Sequence, residues 1–190
     1  KTDNALTMFF ENLNEDIKSY RNKYFPQGLK DVKYFPFNSD RKKMSTIVQS
    51  EEFPKEKIRI FMKGASEIVL QNCQNFIDPV DCSQKSLRDE DKTNFEDIIK
   101  RFANSSLRTI CLAYKDISQT EFFNWETTDA TGKFSIEEEG FTLIGIIGIK
   151  DPLREGVDKA IENCGTAGVK VIMVTGDNIN TAVAIAKEAK

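Results

Sequence analysis

From Phe141 to Ile149 the chain reads Phe-Thr-Leu-Ile-Gly-Ile-Ile-Gly-Ile, nine residues with one polar side chain among them. That is far short of the ~20 apolar residues needed to cross a bilayer. The surrounding composition, 39% hydrophobic and 30% charged, belongs to a soluble globular chain. The run therefore reads as a strand buried on both faces, and the rest of the chain must supply what covers it.

Upstream, the periodicities supply that cover. Leu6, Phe9, Phe10, Leu13, Ile17 and Tyr20 recur near the helical repeat, predicting one helix over residues 4–24, ended by Pro26 and Gly28. Residues 33–37 and 43–50 read as two strands reversing at Asn38, Ser39 and Asp40. Lys57-Ile-Arg-Ile-Phe-Met62 alternates as a half-buried strand should, and a short helix carrying Ile68, Val69 and Cys73 follows. Residues 75–91 are polar and read as loop. Phe95, Ile98, Ile99, Phe102 and Ala103 mark an amphipathic helix over 93–107, and a strand is expected over 108–114. Residues 116–140 are acidic and read as a solvated stretch, pinned to the core by Phe122, Phe123 and Trp125.

At Lys150-Asp-Pro-Leu-Arg154 the pattern changes. Pro152 disfavours helix at Asp151, which suits a connection between two bodies. Beyond it come a helix over 155–164, a buried strand over 169–174, the loop Thr175-Gly-Asp-Asn178 and a helix over 179–189. The expected fold is α+β: an antiparallel sheet flanked by helices over 1–149, a hinge at 150–154, and a short Rossmann-like α/β fragment over 155–190. The chain starts in mid-pattern and stops inside a helical one, so it is expected to be a piece of something longer.

Composition narrows the chemistry. The chain has no histidine, which removes Ser-His and Cys-His catalysis and imidazole metal ligation. Cys73, Cys82, Cys111 and Cys164 form no C-x-x-C pair, so reduced structural thiols are expected rather than zinc or a disulfide framework. A net charge of −3 offers no overall field to recruit nucleic acid, and any phosphate binding must come from a local patch.

Four places offer such a patch. Tyr34–Val48 gathers three aromatic rings with Arg41, Lys42, Lys43 and Met44; it is either a site for a flat base and phosphates or a hairpin with a basic rim. Lys63 ends a strand, either projecting into a cleft or lying on the surface, and Gly64 beside it permits a tight turn into a helix whose free N–H groups suit an anion. Arg108 opens a strand, as a helix-end charge or a ligand contact. A buried strand running into Thr175-Gly176-Asp177 would place a hydroxyl, a bare backbone and a carboxylate where open α/β sheets bind ligands. The plainer alternative is that Asp177 or Asn178 caps the next helix.

Taken in order, Phe-Asn-Ser-x-Arg-Lys-x-Met-Ser (37–45), Lys-Gly-Ala-Ser-Glu (63–67), Leu-Arg-Thr-Ile-Cys-Leu-Ala-Tyr (107–114), Asp-Pro-Leu-Arg (151–154) and Val-Thr-Gly-Asp-Asn-Ile-Asn-Thr-Ala (174–182) resemble P-type cation-transporting ATPases. Within that family the details are similar to plasma-membrane-type calcium pumps. Ser66 stands where many members carry proline, and Ser39 where the reticulum calcium pumps have an arginine, so one phosphate contact is expected to be either missing or supplied otherwise, with Arg41 as the candidate.

The resemblance implies a nucleotide-binding domain over 1–149 and part of a phosphorylation domain of the haloacid-dehalogenase type over 155–190. Phe37 would stack on adenine with Met44 in the same pocket. Lys42, Lys63, Gly64 and Arg108 would line the rest, with Asp3 near the adenosine. Thr175, Gly176 and Asp177 would sit beside the transferred phosphoryl group, and Asp151, Pro152 and Arg154 would form the hinge. ATP is the implied ligand and Mg2+ the implied cofactor, held with residues outside this chain. The implied partners are the remaining phosphorylation, actuator and transmembrane domains of the pump, at the cytosolic face of the plasma membrane or of an organelle membrane. The chain lacks Asp-Lys-Thr-Gly-Thr, whose aspartate takes the phosphoryl group in this family, so the fragment itself is expected to be inactive. Another cation pump of the same class is the alternative. A soluble phosphatase would need an Asp-x-Asp nucleophile near a strand end, which is not evident, and a non-nucleotide interaction domain remains a further reading.

Overall fold

The computed structural model describes residues 2–24, 33–49, 57–118, 121 and 134–189. Seven strands form one sheet: β1 (Tyr34–Asn38), β2 (Lys43–Val48), β3 (Lys57–Ala65), β4 (Cys73–Ile77), β5 (Gln84–Ser86), β6 (Leu107–Ser118) and β7 (Phe141–Lys150). Their spatial order is β1-β2-β3-β6-β7-β4-β5. Every neighbouring pair is antiparallel except β4 with β7. The helices are α1 (Thr2–Asn12), α2 (Ile17–Tyr24), α3 (Ser66–Gln71), α4 (Asp89–Asn104), α5 (Val157–Thr166) and α6 (Ile179–Ala189), with a short 3-10 turn at Ser135–Glu137.

The pleat of the central strands sorts side chains onto two faces. On β3, Ile58, Ile60 and Met62 are buried, and they pack with Ile47, Cys111 and Ala113 of the neighbouring strands. Val69 and Leu70 of α3 and Ile99 of α4 close over this face, with Phe141 and Leu143 from β7. The other face carries Met44, Lys63 and Leu112, half-buried. One face of the sheet makes the core, and the opposite face at the same end is left open.

The helix expected over 4–24 is two helices with no buried residue. Asn14 adopts φ 59°, a left-handed stop that asparagine tolerates, and Asp16 then accepts the Lys18 N–H at 2.9 Å to start α2. Residues 75–91, read as loop, contain most of the β4–β5 hairpin, closed by Asp78 N–H to the Ser83 carbonyl at 2.9 Å. β5 is the sheet's edge, and its Gln84, Lys85 and Ser86 are polar and exposed; β4, inside it, carries Phe76 and Ile77 but at five residues is too short to show a core strand's alternation.

β7 is buried only at Phe141–Leu143, and Ile144 is exposed. β4 pairs with β7 over that first stretch alone; from Ile144 onward β7 has β6 on one side only. The largest departure lies at 169–174. Val169, Val171, Ile172, Met173 and Val174 form no strand and are exposed, Val174 at 91%. An apolar strand needs a neighbour for its backbone groups as well as cover for its side chains, and among the described residues none pairs with it. The Rossmann-like reading of 155–190 thus finds its two helices but not its strand. Phe122, Phe123, Trp125, Pro26 and Gly28 lie outside the described residues.

Candidate functional site

A cavity of about 630 Å3 opens at the end of the sheet where β2, β3 and β6 meet the loop before α6. Its lining includes Asp3, Phe37, Lys42, Met44, Lys63, Gly64, Arg108, Thr175, Gly176 and Asp177. Ten candidates chosen from five separated stretches therefore converge on one space. Asp151, Pro152 and Arg154 do not line it; they lie in the extended link between β7 and α5.

Local structure explains each placement. Phe35 is buried in the core, yet Phe37, two residues on, is 60% exposed. Strict alternation would put both on one face. The β1–β2 ladder breaks register between Phe35 and Asn38, and that irregularity re-aims the second ring toward the cavity. Met44 and Lys63 face each other across β2 and β3, so the pleat carries both to the open face. Lys42 occupies the β1–β2 turn in the left-handed region, φ 51°.

Gly64 was expected to permit a turn. It instead sits inside β3, opposite Lys43 and Cys111. A Cβ there would lie 2.5 Å from the Lys42 carbonyl oxygen and 2.8 Å from Lys43 Cα. Glycine is required because two backbones approach, and the same approach lets Ala65 N–H donate to the Lys42 carbonyl at 2.9 Å.

Arg41 does not reach the cavity and cannot supply the contact for which it was the candidate. Its guanidinium turns the other way, donating to the Pro36 carbonyl at 2.6 Å and pairing with the buried carboxylate of Glu137.

The cavity holds both signs of charge. Lys63 pairs with Asp3, which brings α1 against the sheet. Arg108 lies 2.9 Å from the carboxylate of Asp177, joining β6 to the loop before α6. Lys42 makes no ion pair among the described residues. Asp177 is thus an ion-pair partner rather than the helix cap. Asn178 is the cap: its side-chain oxygen accepts the Asn180 N–H at 2.9 Å. Thr175 Oγ1 accepts the Asp177 N–H at 3.1 Å, and Thr181 Oγ1 donates to the Leu107 carbonyl at 3.3 Å, holding α6 beside β6. Sequence reasoning passed over Glu67, Thr109, Ile110 and Thr181, all of which line the cavity. Ile110 had a signal: it lies two residues from Arg108 on the same strand, hence on the same face.

Among the described residues, no group of three or more His, Cys, Asp or Glu side chains converges to hold a metal ion. No described helix is long and apolar enough to cross a membrane.

Residues 1–156 match the family model described as "P-type ATPase, cytoplasmic domain N". The chain is 41% identical over 187 residues to calcium-transporting ATPase 4, plasma membrane-type, of Arabidopsis thaliana, covering 98% of this chain and 16% of that protein. It is 45% identical over 187 residues to probable calcium-transporting ATPase 6, plasma membrane-type, of Oryza sativa subsp. japonica, with the same coverage. The chain spans about one sixth of the length of these relatives. A family match over most of the chain and relatives at this identity lead to one conclusion: the chain belongs to the P-type ATPase cytoplasmic domain N family.

Proposed function

We propose that the chain is the ATP-binding cytosolic portion of a calcium-transporting P-type ATPase and positions ATP for phosphorylation of an aspartate outside this chain. The observation that carries the reading is the cavity: one exposed aromatic ring, Phe37, on its wall, with Lys42, Lys63 and Arg108 around it. An aromatic face binds a purine by stacking, worth roughly 1–3 kcal/mol in comparable base–aromatic contacts. Cationic side chains then compensate the phosphates, and in phosphoryl transfer the protein contributes positioning and charge compensation above all. Calcium as the transported ion follows from the names of the relatives.

Residues 1–149 would grip the nucleotide, and residues 155–189 would be a part of the phosphorylation domain. Its strand-like segment at 169–174, exposed and forming no strand here, would find its neighbours in the remainder of that domain. Motion about Asp151, Pro152 and Arg154 would carry the γ-phosphate to its acceptor. Thr175, Gly176 and Asp177 would face the phosphoryl group. The described residues do not form a Mg2+ site on their own, so the ion would rely on ligands elsewhere in the pump and no step here depends on it.

The isolated chain should bind ATP weakly, with a dissociation constant in the millimolar range, or ~4 kcal/mol. Titration followed by NMR tests this. Shifts should appear at Phe37, Lys63 and Arg108, and Phe37→Ala should weaken binding roughly ten-fold, as loss of one stacked base contact implies. Shifts that miss all three, or a Phe37→Ala variant with unchanged affinity, would overturn the assignment.

A further inference from the structure

The turn between β1 and β2 holds three cavity residues in place, Phe37 just before it and Ser39 and Lys42 within it. Bonds inside the turn shape it: Asn38 Oδ1 accepts the Asp40 N–H at 2.7 Å, and Lys42 N–H donates to the Asn38 carbonyl at 2.7 Å. They do not fix the turn's attitude to the rest of the molecule. On the β3 side that is done by the Lys42 carbonyl with Ala65 N–H. On the opposite side it is done by Arg41. Its guanidinium bonds the Pro36 carbonyl at the base of the turn, pairs with Glu137 of the 3-10 turn, and lies 5.4 Å from the centre of the Phe134 ring. Phe134 packs in turn on Phe35, ring centres 4.4 Å apart. Lys43 adds a bond from Nζ to the Glu137 carbonyl at 2.9 Å.

This pair is hard to explain as stabilisation alone. The Glu137 side chain is 1% exposed and that of Arg41 11%. Removing both charges from water costs several kcal/mol per ion, and the attraction between them recovers that only with full hydrogen bonding. Glu137 Oε1 is buried without a hydrogen-bond partner among the described residues. Apolar side chains of similar size would serve stability as well or better. What they would not do is hold the Pro36 carbonyl by a directed fork from the far side of the turn.

We propose that Arg41 and Glu137 are positioning residues for the nucleotide site, orienting the β1–β2 turn so that Phe37 and Lys42 face the cavity together. Neither lines the cavity. The inference rests on the ATP-binding reading above. It also accounts for charge: the turn carries two adjacent cations, and pairing one of them with Glu137 leaves Lys42 as the one that faces the phosphates.

The test uses the 190-residue chain and two variants, each measured by urea unfolding and by ATP titration with NMR. The double variant Arg41→Met/Glu137→Leu removes both charges and keeps the volume. It should unfold at or above the wild-type midpoint yet bind ATP roughly five- to ten-fold more weakly, as a misplaced positioning shell implies. The ATP-dependent shifts at Phe37 and Lys42 should shrink while those at Lys63 and Arg108 persist. Arg41→Lys keeps the charge without the fork and should fall between wild type and the double variant in affinity, which a bulk packing role would not produce. ATP binding by either variant equal to wild type, with unchanged Phe37 and Lys42 shifts, overturns the positioning role while leaving the nucleotide site intact. Absence of any ATP-dependent shift in the wild type removes the nucleotide reading, and this proposal with it.

Discussion

Replacing Gly64 by alanine should damage the molecule more than any other single methyl added to a sheet glycine. The added Cβ would stand 2.5 Å from the Lys42 carbonyl oxygen and 2.8 Å from both Cα and Cβ of Lys43. Ordinary contact begins at 3.4 Å, so the Lys42 oxygen would have to retreat by about 0.9 Å, and it belongs to backbone that no rotamer change can move. Its bond from Ala65 N–H, 2.9 Å long, would stretch with it. Overpacking of this kind costs roughly 1–3 kcal/mol, and a clash with backbone on two residues points to the upper end. For a chain of this size that is a fall in Tm of roughly 4–10 °C. Two other glycines of the sheet calibrate the result. At Gly148 the new Cβ meets Leu107 Cδ1 at 2.9 Å and Phe102 Cδ2 at 3.2 Å, tips of side chains that can shift, so the cost should be ~1 kcal/mol. At Gly145 nothing lies within 4 Å, and alanine in mid-strand should be neutral or gain up to ~1 kcal/mol. Urea unfolding of the three variants would give the order directly. A Gly64→Ala variant within ~0.5 kcal/mol of wild type, or no worse than Gly145→Ala, would refute the close-approach account.

Asp177→Asn should tighten ATP binding roughly three-fold at low salt, because it removes an anion from the phosphate side and releases Arg108; the gain should fade as salt rises, and weaker binding would contradict it. Burial pushes the Cys73 thiol up to about 12 and raises Cys111 further. A thiol whose folded value is raised contributes stability in full below its unfolded value of ~8.5, and loses it as pH climbs toward the folded one. Stability should therefore decline above about pH 9, and a thiol reagent at pH 8 should label exposed Cys82 while sparing Cys73 and Cys111 until the chain unfolds. Ser66→Pro should raise the unfolding free energy by ~0.5–1 kcal/mol, and the midpoint with it. Ser66 is the first residue of α3, its buried hydroxyl has no partner, and Ala65 already holds φ −55°, ψ 130°, the conformation required ahead of proline. A lower midpoint would show that the Ser66 N–H is needed.

Much of the sheet was legible because its strands find their neighbours within the chain. Lys57–Met62 alternates in sequence and alternates in burial, since β2 and β6 flank it and one face meets α3 and α4. Residues 169–174 show why the same kind of pattern misleads elsewhere. Val-Lys-Val-Ile-Met-Val is as strand-like as any segment here, but propensity does not provide a hydrogen-bonding partner. The β4–β5 hairpin failed in the opposite sense: β5 is a three-residue edge strand, polar and exposed throughout, and β4 is five residues long, so neither shows a periodicity that separates it from loop. The cavity's residues could be chosen from sequence because four of the five ordered motifs, with Asp3 beside them, selected them together. Their pairing could not. That Lys63 meets Asp3, sixty residues away, and that Arg108 meets Asp177 are consequences of register and helix docking, which no local pattern contains.

Arg41, Lys42 and Lys43 make the point most sharply, because in sequence they are one basic run. In the fold they serve three ends. Arg41 turns back beneath the hairpin to Glu137, Lys42 faces the cavity, and Lys43, the first residue of β2, falls on the core side of the pleat and is buried. One residue of register separates each outcome from the next. A one-residue slip between β1 and β2 would exchange the buried lysine for the cavity lysine and bury the wrong charge. The approach at Gly64 and the bond from Ala65 to the Lys42 carbonyl fix that register from one side, and the Arg41–Glu137 pair from the other. A basic patch read from composition therefore overstates the positive charge a ligand would meet: of three cations in the run, the cavity receives one.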